Sequence, residues 1–72
     1  MFRLKVKQNG TTEELFAREN ELMVEAQYQG YLTYAESEGW AVTTLNNGKT
    51  MLKRGDDKMV IWIESPAGEV VR

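Results

Sequence analysis

The chain contains no cysteine and no histidine. Without cysteine there is no disulfide framework and no thiolate metal site. Without histidine the commonest general base and the commonest nitrogen ligand for zinc are both missing. No apolar run approaches the roughly 18 residues that a membrane-spanning helix needs. The opening Met1-Phe2-Arg3-Leu4-Lys5-Val6-Lys7 alternates apolar with basic residues, unlike the charged-then-apolar order of a signal peptide. A cytoplasmic location is expected, since cysteine-free chains are typical of the cytosol although compatible with any redox compartment. No membrane partner is expected.

What is present is the material of one small globular domain spanning residues 1–72. The chain has 72 residues, is 42% apolar and 28% charged, and has a net charge of −2. Such a composition makes no case for disorder, and the length leaves no room for a second core. A core of this size supplies roughly 3–5 kcal/mol net unless metal, disulfides or another chain reinforce it. With disulfides and with thiolate and histidine ligands absent, oligomerisation or unusually good packing is left as reinforcement, and self-association is one expectation from stability alone.

Phe2, Leu4 and Val6 alternate with Arg3, Lys5 and Lys7, which is the pattern of a half-buried strand. Asn9-Gly10 then stops the strand. The next stretch has two readings. In the preferred one, Thr11 caps a helix, Glu14 completes a capping box, and the acidic Glu13-Glu14 pair sits in a first helical turn. In the other, Asn9-Gly10 turns a hairpin, residues 12–17 form a second strand, and Asn20 caps a shorter helix. Both run the helix to about Glu38, with Gly39 as its stop. A continuous helix from Thr12 would be about 40 Å long and would overhang strands of about 20 Å. Either Gly30 would then break it, or its overhang would pack on a second chain. Residues 40–45, 49–54 and 58–64 read as an antiparallel meander with turns at Asn46-Asn47-Gly48 and Gly55-Asp56-Asp57. Residues 66–72 read as a tail or short edge strand. The expected fold is α+β, with a helix on one face of a mainly antiparallel sheet, in the order β-α-β-β-β; the alternative is β-β-α-β-β, with the hairpin before the helix.

Two-residue turns in the meander would put Leu45, Leu52, Met59, Ile61 and Ile63 on one face with Ala41 and Thr43. The other face would hold Trp40, Val42, Met51, Val60 and Trp62, with Thr44 and Lys53. One helix covers only one face, so the tryptophan-bearing face is a candidate partner or dimer surface, aromatic residues and methionine being enriched at interfaces. The simpler account is that both tryptophans finish the core. Tyr28, Tyr31 and Tyr34 fit core or interface packing.

Charge is segregated. Between Thr11 and Trp40 lie seven acidic residues and one basic one, Arg18. Glu13, Glu14, Glu21, Glu25, Glu36 and Glu38 are the candidate partner-binding residues of an acidic helix, which would steer a partner with a basic surface; a plain solvated helix face is the bland alternative. Arg3, Lys5, Lys7 and Lys53, together with the tryptophans, form an alternative site for single-stranded nucleic acid. The pI near 5.1 argues against that alternative, and lysines on a strand also deter edge aggregation. Asp56-Asp57 reads as a hairpin end, not a calcium loop. No phosphate loop or nucleophile motif accompanies the glutamates. The expectation is therefore a non-enzymatic protein-binding module without metal or cofactor, with a homodimer as one form. In size, acidity and lack of catalytic groups the chain is similar in style to small phage-encoded inhibitors of host enzymes and defence complexes, with which it shares no motif.

Overall fold

A computed structural model describes all residues, Met1–Arg72. The elements are β1 (Phe2–Gln8), β2 (Thr11–Arg18), α1 (Glu21–Ser37), β3 (Ala41–Thr44), β4 (Thr50–Arg54) and β5 (Asp57–Glu64). The strands form one antiparallel sheet in the order β2-β1-β5-β4-β3, with α1 packed on one face, so the α+β class is realised. The element order is β-β-α-β-β-β. Residues 11–18 are a strand and not the first turns of a helix, which corrects the preferred sequence reading.

The correction has a local cause. Asn9 (φ 54°) and Gly10 (φ 79°) both adopt positive φ, the conformation of a two-residue turn whose twist matches paired strands. The turn pairs Gln8 with Thr11 and gives β1 a neighbour that a helix could not supply. The register then shifts between Leu4 and Lys5, so that Leu4 faces Phe16 while Lys5 faces Glu14. Leu15 is the extra residue of this bulge. The bulge breaks the alternation of Thr11–Arg18, so the segment lacks the period-two signature of a strand.

Asn20 begins α1. Its side chain accepts a hydrogen bond from the Leu22 N–H at 2.9 Å, satisfying one of the first-turn donors. At the other end, Trp40 N–H donates to the Ala35 carbonyl and Gly39 N–H to the Glu36 carbonyl. With Gly39 at φ 91°, these two bonds form a Schellman stop. The 17-residue helix is about 25 Å long. It crosses the sheet from the β2 edge to the β3 edge without the overhang that a longer helix would have had. It is not long and apolar enough to cross a membrane.

Val24, Tyr28 and Ala35 of α1 meet Leu4, Leu52, Ile61 and Ile63 of the sheet in one buried cluster, with Phe2, Phe16, Tyr31, Leu32, Trp40 and Met59 packed around it. Beyond Glu64 the chain turns back. Val70 bridges Glu64, Val71 N–H donates to the Ile63 carbonyl at 2.7 Å, and Ile63 N–H donates to the Arg72 carbonyl. The C-terminal residues thus extend the edge of β5 beyond the start of β4.

Candidate functional site

The sheet face opposite α1 follows from strand alternation. Leu4 and Val6 of β1 point at the helix, so Arg3, Lys5 and Lys7 point away. Ile61 and Ile63 of β5 point at the helix, so Lys58, Val60, Trp62 and Glu64 point away. On β4, Leu52 is in the core, which leaves Met51 and Lys53 on the open face, with Lys49 just before the strand. Six of the nine cationic side chains therefore share this uncovered face: Arg3, Lys5, Lys7, Lys49, Lys53 and Lys58. The structure places Arg3, Lys5, Lys7 and Lys53 together, as the nucleic-acid alternative required. Lys49 and Lys58 were not singled out from sequence, although alternation back from Trp62 leads directly to Lys58.

Three of these cations have partners. Arg3 pairs with Glu14, Lys5 with Glu64 at 3.1 Å, and the Lys49 ammonium lies 3.9 Å from the centroid of the Trp62 ring. Lys7, Lys53 and Lys58 make no ion pair. Lys53 and Lys58 stand directly opposite each other across β4 and β5, an arrangement that costs stability because like charges repel.

Trp62 lies at the centre of this face yet is only 4% exposed. Its indole Nε1–H donates to Glu64 Oε2 at 2.9 Å, and Lys49 covers the ring. The same bond, followed by the contact with Lys5, holds the Glu64 carboxyl below its ordinary value of 4.5, although burial works the other way. A carboxylate whose pKa is lowered on folding stabilises the fold above its unfolded pKa, and this contribution is lost as the pH falls through the folded value. Glu64→Gln should therefore flatten the acid limb of stability. Between neutral pH and about pH 3, the urea midpoint of the wild type should fall further than that of the variant. Equal falls would show that the carboxylate is not held in this way.

The other expected groupings do not assemble. Asn46-Asn47-Gly48 is a three-residue loop closed by Leu45 N–H donating to the Lys49 carbonyl at 2.8 Å, with Gly48 at φ 88°. The loop is one residue longer than the two-residue turn expected from sequence, and the extra residue slips β3 by one. Val42 now faces Leu52, and Thr43 faces Met51. The set Trp40, Val42, Met51, Val60 and Trp62 is thereby divided. Met51, Val60 and Trp62 remain on the open face with Ala41 and Thr43, while Val42 joins the helix side and Trp40 packs against the core. Trp40 is capped by the Arg54 guanidinium at 4.7 Å, and Arg54 also donates to the Glu38 carbonyl.

The acidic group also divides. Glu13 and Glu14 lie on β2 rather than on the helix, and Glu14 is held by Arg3. Glu25 is held by Arg72 at 3.2 Å. Glu21 opens α1 and Glu38 is its C-cap. At 100° per residue, Glu21, Glu25 and Glu36 fall along one flank of the helix. The solvent-facing arc holds Leu22, Met23, Ala26, Gln27, Gln29, Gly30, Thr33, Tyr34 and Ser37, none of them charged. Leu22 is 72% exposed, Tyr34 65% and Met23 50%. A Cβ built on Gly30 would have nothing within 4 Å. The three tyrosines thus divide by burial: Tyr28 is in the core, Tyr31 is half-buried with its hydroxyl donating to Met59 Sδ at 3.4 Å, and Tyr34 lies in the solvent.

Two shallow concavities exist, of about 290 and 180 Å³, the first at the β1–β2 turn and the second beside Tyr28, Thr50 and Arg72, each with a single apolar lining residue. Small-molecule sites typically enclose about 300–1,000 Å³ and are lined mostly by apolar side chains. Neither concavity has that character. No family model, no curated protein and no solved structure matches this chain.

Proposed function

We propose that this protein is a non-enzymatic protein-binding module whose contact surface is the outer face of α1. The observation that carries this reading is the uncharged arc bearing Leu22, Met23 and Tyr34, each half or more exposed. Leu22 and Met23 stand at the start of the arc and Tyr34 about three turns further along it, so the arc can anchor an apolar partner at both ends. Gly30 supports the same reading. Glycine in a helix interior costs about 1 kcal/mol relative to alanine, and no neighbour within the chain requires its missing side chain. With Ala26 one turn earlier, it leaves a shallow saddle into which a partner's side chains or backbone can approach closely.

The acidic flank selects the partner. Glu21 and Glu36 make no ion pair within the chain, so a foreign protein with an apolar patch and a basic rim complements this face. Two copies packed antiparallel would instead bring the Glu21 and Glu36 flanks together. A heterologous complex is therefore favoured over a homodimer, and an inhibitor acting by occlusion would use this same face. Leu22→Glu combined with Tyr34→Glu tests the reading in affinity capture from nuclease-treated lysate of the cells that express the protein. The wild type should retain a discrete protein that the double variant, folded by circular dichroism, loses. Equal capture by both would remove α1 from the interface.

A further inference from the structure

The open face of the sheet lies on the side away from α1 and is explained by none of the contacts above. It combines an unneutralised lysine group (Lys7, Lys53 and Lys58) with the Trp62 indole, which lies under the Lys49 ammonium. Strands that repel across a pair, as Lys53 and Lys58 do, lose stability unless something outside the chain neutralises them. Met51 and Val60 lie between the Lys53–Lys58 pair and Trp62, and Lys7 stands opposite Val60, so cations and an aromatic ring are spaced along one surface. The overall acidity of the chain does not cancel this local field. The free helix carboxylates Glu21 and Glu36 lie on the opposite side of the sheet from these lysines.

We propose that this face binds single-stranded nucleic acid. Phosphates lie against Lys7, Lys53 and Lys58. Lys49, drawn from the ring to a phosphate, uncovers Trp62 for stacking by a base. The arrangement joins the two elements by which single strands are held without sequence preference, a cationic track and an aromatic platform. Glu64 retains the indole Nε1–H throughout. Lys5, tied to Glu64, fixes that carboxylate rather than contacting the strand.

The test is fluorescence anisotropy of a labelled short oligothymidylate titrated with the intact protein across a salt series. Binding should weaken linearly on a log–log plot, with a slope of roughly −3 for four phosphates on a single strand. Lys7→Ala, Lys53→Ala and Lys58→Ala combined change only exposed side chains, and should lower affinity at least about tenfold and remove most of that slope. Tryptophan emission should be quenched by the oligonucleotide but not by an abasic strand of equal length. Lys49→Ala should leave the fold intact and raise Trp62 accessibility to acrylamide. The proposal is overturned if the oligonucleotide fails to bind at low salt, if the triple variant binds equally, or if poly-glutamate or a duplex competes equally well. The last two competitors would reassign the lysines to an acidic protein or to phosphate charge without stacking. The helix variant Leu22→Glu/Tyr34→Glu should bind the oligonucleotide normally, which keeps this test independent of the protein interface.

Discussion

Ile61→Ala is expected to leave much of the protein unfolded at room temperature. Ile61 is fully buried on the central strand of the sheet, paired with Val6 on one side and Thr50 on the other. It also belongs to the cluster that joins α1 to the sheet. Truncating a buried isoleucine to alanine costs about 2–5 kcal/mol, depending on how far the surroundings collapse into the cavity. Backbone pairing on both sides holds this part of β5 in place and limits that collapse. Against a total of roughly 3–5 kcal/mol for a domain of this size, the loss is comparable with the whole. Ile61→Val removes one methylene, costs about 0.5–1.5 kcal/mol, and should stay folded. Urea titrations followed by far-ultraviolet circular dichroism separate the cases. An Ile61→Ala protein with a near-native midpoint would mean that the core around β5 is looser than described.

The second large effect concerns the polar pair inside this core. Tyr28 and Thr50 are both buried, and their hydroxyls share a hydrogen bond. Thr50 is the only buried polar residue of the chain. Removing one partner leaves the other hydroxyl without its hydrogen bond beside only a shallow concavity, at a cost of up to about 1–3 kcal/mol, while removing both leaves no orphan. Tyr28→Phe and Thr50→Val should therefore each destabilise the fold, and the double variant should recover much of the combined loss. Denaturation of the four proteins closes the cycle and yields the coupling directly. Strictly additive losses would show that the bond contributes nothing net. The pair links the middle of α1 to the first residue of β4, so its loss should also loosen the docking of the helix. Protection of the α1 amides from hydrogen exchange would report that.

How legible the fold was differs from element to element. β1 and β5 were readable because each carries an unbroken alternation or apolar run with a turn signal at its end. The Gly39 stop was readable because a left-handed residue after a helix is a local requirement. β2 was misread because a bulge at Leu15 removes the alternation, and because Glu13 and Glu14 suit a first helical turn just as well. The Asn9-Gly10 turn held the correct answer. Yet its consequence depends on β1 needing an edge partner, which no local window contains.

The candidate surfaces show the same division. Charge segregation was visible along the sequence, and the uncovered face of the sheet was implied by the presence of only one helix. The three-residue loop before β4 then decided which residues occupy that face. A one-residue slip of β3 sent Val42 to the helix side and separated Trp40 from Trp62. The partners of Glu14, Glu25 and Glu64 lie on distant segments, so which carboxylates stay free could not be read along the chain.

By itself, then, the sequence determined the α+β class, the strand-forming and helix-forming segments with strong periodicity, and the absence of cysteine- and histidine-dependent chemistry. These depend on local backbone preference and on residue type alone. The tertiary structure decided the hairpin partner of β1, the register of β3, the masking of Trp62 by Lys49, and the gathering of six cations on one face. Each of these depends on which strands become neighbours, and pairing across a sheet joins residues that the chain keeps far apart.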